Sequence, residues 1–259
     1  MTSDQPTPQT FDFGPNLGND DNPSPSRKAL HRLAYGLRSL TDSMAGTKAP
    51  QDELEQAAAI IEGLAAHVAN FGSNPRHFGS AESALGDLGQ GDDARFFFRD
   101  HSPVAGIGNP IAPPVSLHIE GHEVIGACTY GRPYEGPPGH VHGGWIAAVF
   151  DELLGMAQAL SGSPGMTAKL TINYRRPTPL HLPIRYVGWI DRIEGRKIFT
   201  VAKAFRTDTG ELLDEAEGLF ISMSLQNIMG PAELVWSKAD TAGAPGPTPT
   251  FHAPDPGGR

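Results

Sequence analysis

The chain has 259 residues, a hydrophobic content of 39% and a formal net charge of -9, from 29 acidic and 20 basic residues. This acidity would repel a phosphate backbone, so no nucleic-acid partner is expected. With one cysteine (Cys128), no stretch of about 18 apolar residues and no secretory signal pattern at its start, the sequence predicts a cytoplasmic protein without a disulfide framework or a membrane span.

Both ends of the chain are polar and rich in proline. Residues 1–26 contain five prolines, and residues 226–259 have a similar composition. Because such segments cannot bury enough apolar surface to offset the ordering of the chain, we expect both tails to be mostly disordered.

Residues 27–90 are predicted to form a helical hairpin and a linker. Apolar side chains recur at helical spacing in two series separated by "AGTKAP": Leu30, Leu33, Leu37 and Leu40, then Leu54, Ala58, Ile61, Leu64 and Val68. Two short helices rarely form a stable core alone, so each apolar stripe is expected to cover something. The following "GSAESALGDLGQGDDA" is punctuated by glycine and is typical of a linker.

Residues 94–225 form the predicted main domain, in which from residue 115 onward the hydrophobic period changes from 3.6 to 2, with one helical interruption. Strands are predicted at 115–121, 122–131, 166–175, 183–193, 196–207 and 211–224, and a helix at about 143–160. Tight turns are expected at Glu120-Gly121, Glu194-Gly195 and Asp208-Thr209-Gly210. The order β-β-α-β-β-β-β predicts an α+β fold in which an antiparallel sheet wraps one long helix.

The stretch "GPPGHVHGGWIAAVFDELLG" (136–155) runs from a loop directly into that helix. Gly143 and Gly144 stand where the first helical N–H groups have no intrahelical acceptor and the helix dipole is positive. Without side chains they let a ligand oxygen reach these amides, as in an oxyanion hole. The alternative is that two glycines merely permit a sharp turn.

Asp151 lies eight residues beyond Gly143, so a rise of about 1.5 Å per residue separates the two by roughly 12 Å. On the helical wheel it lies off the core stripe of Ile146, Val149, Phe150, Leu153 and Ala157. An isolated aspartate of this kind is commonly a solvated surface residue. The alternative is a homodimer in which Asp151 of one subunit faces the Gly143 amide of the other, which creates two symmetric sites.

His140 and His142 are also candidate metal ligands, with Asp151 or His181 completing the set. No accepted Cys/His/Asp spacing accompanies them, so no metal is expected. His142 is more simply explained as a hydrogen-bonding residue of the tight loop.

Four motifs together resemble the hotdog-fold acyl-CoA thioesterases of the phenylacetate-pathway-like group and the related animal thioesterase superfamily members. They are "HGG" at 142–144, the acid that ends "HGGWIAAVFD", "TAKLTINYRRPTPL" at 167–180 and "DRIEGRK" at 191–197. The resemblance covers residues 94–225. It implies a hotdog fold, a dimer as the minimal unit and, commonly, dimers of dimers.

The resemblance also implies site roles. Asp151 would be the general base or nucleophile, the Gly143 N–H the oxyanion donor, His142 the residue that shapes the loop, and Thr167 the hydroxyl that positions water. No cofactor is implied. Some relatives carry an Asn or Gln before HGG as a second carbonyl contact, and here Glu135 or His140 would have to substitute.

A second set of residues is predicted to bind the phosphates and pantetheine of coenzyme A. Strand alternation puts Asn173 and Arg175 on the face of Thr167, and Arg196 and Lys197 follow the Gly195 turn. The alternative is that these are ordinary charges at strand ends.

The function expected from the sequence is hydrolysis of acyl-CoA to a free acid and coenzyme A, in fatty acid metabolism. The alternatives are a non-catalytic acyl-CoA-binding module and a hotdog hydratase or dehydratase. The latter depend on a different arrangement of histidine and acid, which the sequence lacks.

Overall fold

A computed structural model of the chain describes residues 23–71, 100–163 and 165–222. Nearly all of the predicted disordered tails and the predicted linker lie outside these residues. The described elements are helices α1 (Pro25–Met44), α2 (Gln51–Ala69) and α3 (Gly143–Ala159), a short 3-10 helix (Arg132–Tyr134), and strands β1 (Val115–Glu120), β2 (Glu123–Thr129), β3 (Gly165–Tyr174), β4 (Pro183–Glu194), β5 (Lys197–Arg206) and β6 (Leu212–Ser222).

The six strands form one antiparallel sheet in the order β1-β2-β4-β5-β6-β3. The turns at Gly121 and Gly195 have φ angles of 61° and 58°, which glycine adopts without steric cost. Strand β3 lies at one edge of the sheet, next to β6. The predicted hotdog arrangement, a sheet around one helix, is confirmed.

Helix α3 packs against the sheet through the stripe that the helical wheel predicts. Ile146, Val149, Phe150, Leu153 and Ala157 are all buried. The approach to the sheet is closest at Gly188 of β4, where an added Cβ would collide with the Leu153 side chain. Glycine at this position lets the sheet lie close to Leu153 without displacing that side chain.

Helix α1 clamps an irregular segment, residues 100–112, for which the sequence made no prediction. Arg27 pairs with Asp100 through Nε–Oδ2 at 2.7 Å and Nη2–Oδ1 at 3.0 Å, and His31 Nε2 lies 2.9 Å from Asp100 Oδ1. The Arg38 guanidinium donates to the carbonyls of Gly106, Ile107 and Asn109. Charged groups of α1 therefore hold this segment, together with apolar contacts such as Leu30 against Gly108.

The carboxyl of Asp100 is the centre of this clamp. Burial acts to raise its pKa, but the hydrogen bonds and charges of Arg27 and His31 outweigh burial and hold the pKa below the ordinary value. Asp100 is therefore ionised at neutral pH and contributes to the attachment of α1.

Within the described residues the two apolar stripes differ in burial: Leu30, Leu37 and Leu40 of α1 are half-buried, whereas the stripe of α2 is exposed. No residue of α2 is buried, and its stripe remains exposed, with Leu54 at 44%, Ile61 at 37%, Leu64 at 37% and Val68 at 46%. A helical period identifies the apolar face of a helix but not the partner of that face.

Candidate functional site

The turn into α3 leaves one backbone amide free. His142 is the N-cap of α3, and its Nδ1 accepts a hydrogen bond of 3.0 Å from the N–H of Gly144. The N–H of Trp145 donates to the His142 carbonyl at 2.9 Å. The Gly143 N–H has no acceptor among the described residues, and it points from the positive end of the helix.

The loop 139–143, which we call the oxyanion loop after the role that the family resemblance implies for Gly143, is held by hydrogen bonds on both sides. The Val141 N–H donates to the Thr178 carbonyl at 2.9 Å, and the His142 N–H donates to the Tyr134 carbonyl at 2.8 Å. The Tyr174 hydroxyl donates to the Gly143 carbonyl at 2.8 Å. These bonds fix the direction of the free amide before any ligand arrives.

The two residues named as substitutes for a second carbonyl contact are both engaged within this loop region. Glu135 Oε1 accepts from the Gly139 N–H at 2.6 Å, and His140 Nδ1 lies 2.9 Å from the Pro138 carbonyl. In this conformation both contribute to the shape of the loop.

Asp151 and Thr167 come together, as the sequence suggests. The Thr167 hydroxyl donates to Asp151 Oδ1 at 3.0 Å and so fixes one oxygen of the carboxylate. Asp151 is partly exposed, which suits a base that must reach water. By the helix rise it lies about 12 Å along α3 from Gly143.

A β-bulge between Thr167 and Lys169 determines which way β3 presents its side chains. Thr167 pairs with Phe220, which is buried, whereas Lys169 pairs with Leu219 and Asn173 with Glu215. Since the extra residue shifts the alternation by one, Thr167 faces α3 while the later odd-numbered residues face away. The prediction that Thr167 shares a face with Asn173 and Arg175 is therefore wrong.

The four predicted coenzyme A ligands do not form one cluster within the chain. Arg196 Nε donates to the Ser222 carbonyl at 3.0 Å, beside the start of β3, where Ser222 pairs with Gly165. Arg175 lies just past the other end of β3, where its Nε is 2.8 Å from Glu215 Oε2. Ten residues of strand separate the two groups by about 30 Å. Lys197 lies with Arg196, and Asn173 lies with Arg175.

Residues that the sequence analysis missed also contact this region. Ser102, in the segment clamped by α1, donates to Glu152 Oε1 at 3.1 Å. Burial raises the pKa of Glu152, and the neighbouring charge of Asp151 adds to the rise. Tyr174 was overlooked because the bulge hides its orientation, and Ser102 because its segment has no periodic pattern.

Within the described ranges, no group of three or more His, Cys, Asp and Glu side chains has the geometry to hold a metal ion. His140 and His142 lie in the loop as described above, each engaged with the backbone. None of the described helices is long and apolar enough to cross a membrane.

Comparisons with known proteins relate the chain to thioesterases. The family model of the thioesterase superfamily matches residues 138–213. Acyl-coenzyme A thioesterase THEM4 of Xenopus laevis is 40% identical over 92 residues, which are 35% of this chain and 41% of that protein. THEM4 of Bos taurus is 40% identical over 94 residues, 36% of this chain and 38% of the relative. The match thus spans about two fifths of the length of these curated relatives.

A solved structure is similar to a larger share of this chain. A crystal structure of a thioesterase superfamily protein is 33% identical and covers 74% of this chain and 94% of its own, with a TM-score of 0.64. Nearly the whole of that protein is therefore matched, in sequence and in fold. The chain belongs to the thioesterase superfamily.

Proposed function

We propose that the protein is an acyl-CoA thioesterase that hydrolyses acyl-CoA to a free acid and coenzyme A, and that it works as a homodimer or a dimer of dimers. The observation that carries the proposal is the pairing of an oriented carboxylate, Asp151 held by Thr167, with the free Gly143 amide on the same helix. Acyl-CoA hydrolysis is also the activity named for the THEM4 relatives.

The chemistry follows from these two groups. Asp151 takes a proton from water, whose oxygen attacks the thioester carbonyl, or Asp151 attacks that carbon itself. The carbonyl oxygen becomes negative, and the Gly143 N–H stabilises it, an effect of about 3 kcal/mol for one well-placed donor. When water attacks, the C–S bond then breaks, and the thiolate of coenzyme A takes up the proton held by Asp151. When Asp151 attacks, the same bond breaks and leaves a mixed anhydride on Asp151, which water hydrolyses to the free acid while the thiolate takes up a proton from that water.

One chain cannot place both groups on the same carbonyl, because about 12 Å of helix separates them. Strand β3 offers a solution, since it is an edge strand whose first residues, Met166 and Thr167, are exposed. Two copies that join their β3 edges about a two-fold axis would run antiparallel. The start of each β3, with Thr167 and Asp151, would then lie beside the end of the other, with Tyr174 and Gly143.

The same symmetry supports a binding role for the separated polar groups. Arg196 and Lys197 near the start of one β3 would approach Asn173 and Arg175 near the end of the other. Together they would form a mixed basic and polar rim for the phosphates and pantetheine of coenzyme A. We place the enzyme in the cytoplasm, where proteins commonly lack disulfides, since its one cysteine cannot form an intrachain bond.

Thiol release from a panel of acyl-CoA thioesters tests the proposal. We expect wild-type protein to release thiol, and Asp151→Asn to lower kcat by about 10²- to 10⁴-fold, the usual contribution of a general base. Asp52→Asn, the same change at an exposed site of α2, is the matched control and should retain wild-type activity.

Each other outcome has a definite meaning. If Asp151→Asn hydrolyses as fast as wild type, Asp151 is not the catalytic acid. If wild type and variant bind coenzyme A but neither releases thiol, the protein is a binding module rather than an enzyme.

A further inference from the structure

One buried acid has no part in the proposed chemistry. Asp214 on β6 is fully buried, with an exposed fraction of 0%. Its Oδ2 accepts a hydrogen bond of 2.6 Å from the Thr178 hydroxyl, while its Oδ1 has no partner among the described residues. A buried carboxyl with one oxygen unsatisfied is costly to stability, so its position calls for an explanation.

The neighbours of Asp214 are the residues that hold the oxyanion loop. Thr178, which donates to Asp214, accepts the Val141 N–H through its own carbonyl. Tyr174, which lies directly opposite Asp214 in the β3–β6 pairing, donates to the Gly143 carbonyl. Two of the bonds that orient the loop therefore come from residues next to this one carboxyl.

We propose that Asp214 is a positioning residue of the oxyanion loop, which it holds through Thr178 so that the Gly143 amide keeps its direction. This inference rests on the proposed function, since the role of the Gly143 amide belongs to that function. Asp214 itself touches neither substrate nor reacting atoms.

The proposal takes ionised Asp214 as the working form, because a carboxylate holds the Thr178 hydroxyl more strongly than a neutral acid does. A separation of 2.6 Å lies in the range of charge-assisted O–H···O⁻ bonds, which are about twice as strong as neutral ones. Such a bond locks the Thr178 side chain, and with it the carbonyl that receives Val141. A protonated Asp214 would hold Thr178 by a weaker bond.

Burial raises the pKa of Asp214 to about 6, partly opposed by the Thr178 hydrogen bond. The ionisable groups whose own pKa values respond to Asp214 are Tyr174 on β3 and Tyr186 on β4, and burial raises the pKa of both further above 10. Both phenols are neutral near pH 6. Protonation of Asp214 near that pH would weaken its bond to Thr178, so kcat is expected to fall there.

Profiles of kcat and KM against pH test the proposal. We expect wild-type kcat to fall as the pH drops through about 6. At pH 7.5, Asp214→Asn and Thr178→Val should lower kcat by about 10- to 100-fold, as misplacement of a catalytic group does, with little change in KM. Asp214→Asn should also lose the decline near pH 6, and Thr178→Ser, which keeps the hydroxyl, should stay close to wild type.

A control separates positioning from simple stabilisation. Thr200 is a buried threonine of β5 whose hydroxyl contacts the Gly218 carbonyl, within the sheet. Thr200→Val should lower the melting temperature without lowering kcat. Asp214→Asn should melt at or above the wild-type temperature at pH 7.5, because it removes a buried charge.

Four results would overturn the inference. The first is that Asp214→Asn and Thr178→Val keep the wild-type kcat and pH profile while Asp151→Asn is inactive. That result would leave the proposed function intact. The second is persistence of the decline near pH 6 in Asp214→Asn. The third is an equal loss of kcat in Thr200→Val. The fourth is absence of thiol release by wild type, which removes the proposed function as well.

Discussion

We expect a dimer of two differently inactivated subunits to recover about half of the wild-type thiol-release rate. One subunit carries Asp151→Asn and the other Gly143→Pro. In the hybrid, one site combines both changes, while the other combines an intact Asp151 with an intact Gly143 amide.

Gly143→Pro is expected to remove one backbone N–H with little change in the backbone conformation. Gly143 is the first residue of α3, and the preceding His142 has φ -64° and ψ 130°, a conformation allowed before proline. The substitution therefore removes the N–H and preserves the backbone path. Loss of one oxyanion donor should lower kcat by about 10²- to 10³-fold in the homodimer.

Gly143→Ala is the matched control, because it adds a Cβ but keeps the N–H. That Cβ would lie 3.2 Å from the Tyr174 ring, a tight contact that small movements of the ring relieve. We expect Gly143→Ala to retain most of the wild-type kcat.

Two affinity tags and tandem purification after co-expression isolate the hybrid, and thiol release per dimer measures its activity. A hybrid dimer as inactive as the two variant homodimers would refute the shared site. The distance between Asp151 and Gly143 along α3 would then have no explanation. A chain that purifies only as an active monomer would refute it as well.

Three further predictions concern other parts of the structure. Thr167→Val should lower kcat by about tenfold with little effect on KM, because Asp151 loses its orienting donor; steady-state kinetics measure this. Asp100→Ala should lower the free energy of unfolding by about 3–5 kcal/mol in urea titrations, because Arg27 and His31 lose the buried carboxylate that they share. Since the folded pKa of Asp100 is lowered, its contribution is present above the unfolded pKa and is lost as the pH falls through the folded pKa. Gly188→Ala should cost about 1–3 kcal/mol by overpacking against Leu153, seen as a lower melting temperature.

Each of these has its own control. Thr171→Val, on the outer face of β3, should leave kcat unchanged, and an equal loss there would argue against an orienting role for Thr167. A wild-type urea midpoint in Asp100→Ala would contradict the clamp on residues 100–112. Gly63→Ala, in α2 with open space around it, should raise stability by about 0.5–1 kcal/mol.

Sequence patterns predicted the elements of the sheet because each signal is local. Alternating side chains mark a strand, and glycines such as Gly121 and Gly195 stand where the chain needs a positive φ. The stripe on α3 was read correctly for the same reason, since one face of a helix buried by a sheet has a strict period. The proximity of Asp151 and Thr167 came from the family resemblance and not from any local pattern.

Other features depend on contacts that no local pattern encodes. The bulge after Thr167 shifts the alternation of side chains between the two faces of β3, and nothing in the sequence marks the shift. Residues 100–112 have no period at all, because side chains of α1 hold them rather than a ladder of backbone bonds. The sequence shows the apolar stripe of α2, but it does not show that these side chains are exposed in the single chain.

The bulge in β3 divides the strand into two independent surfaces. Before it, the Thr167 hydroxyl contacts Asp151 on α3. After it, Lys169, Thr171 and Asn173 point to the opposite side of the sheet. Residues on that outer side can thus be substituted one at a time without moving the Thr167 hydroxyl that the proposed hydrolytic step uses.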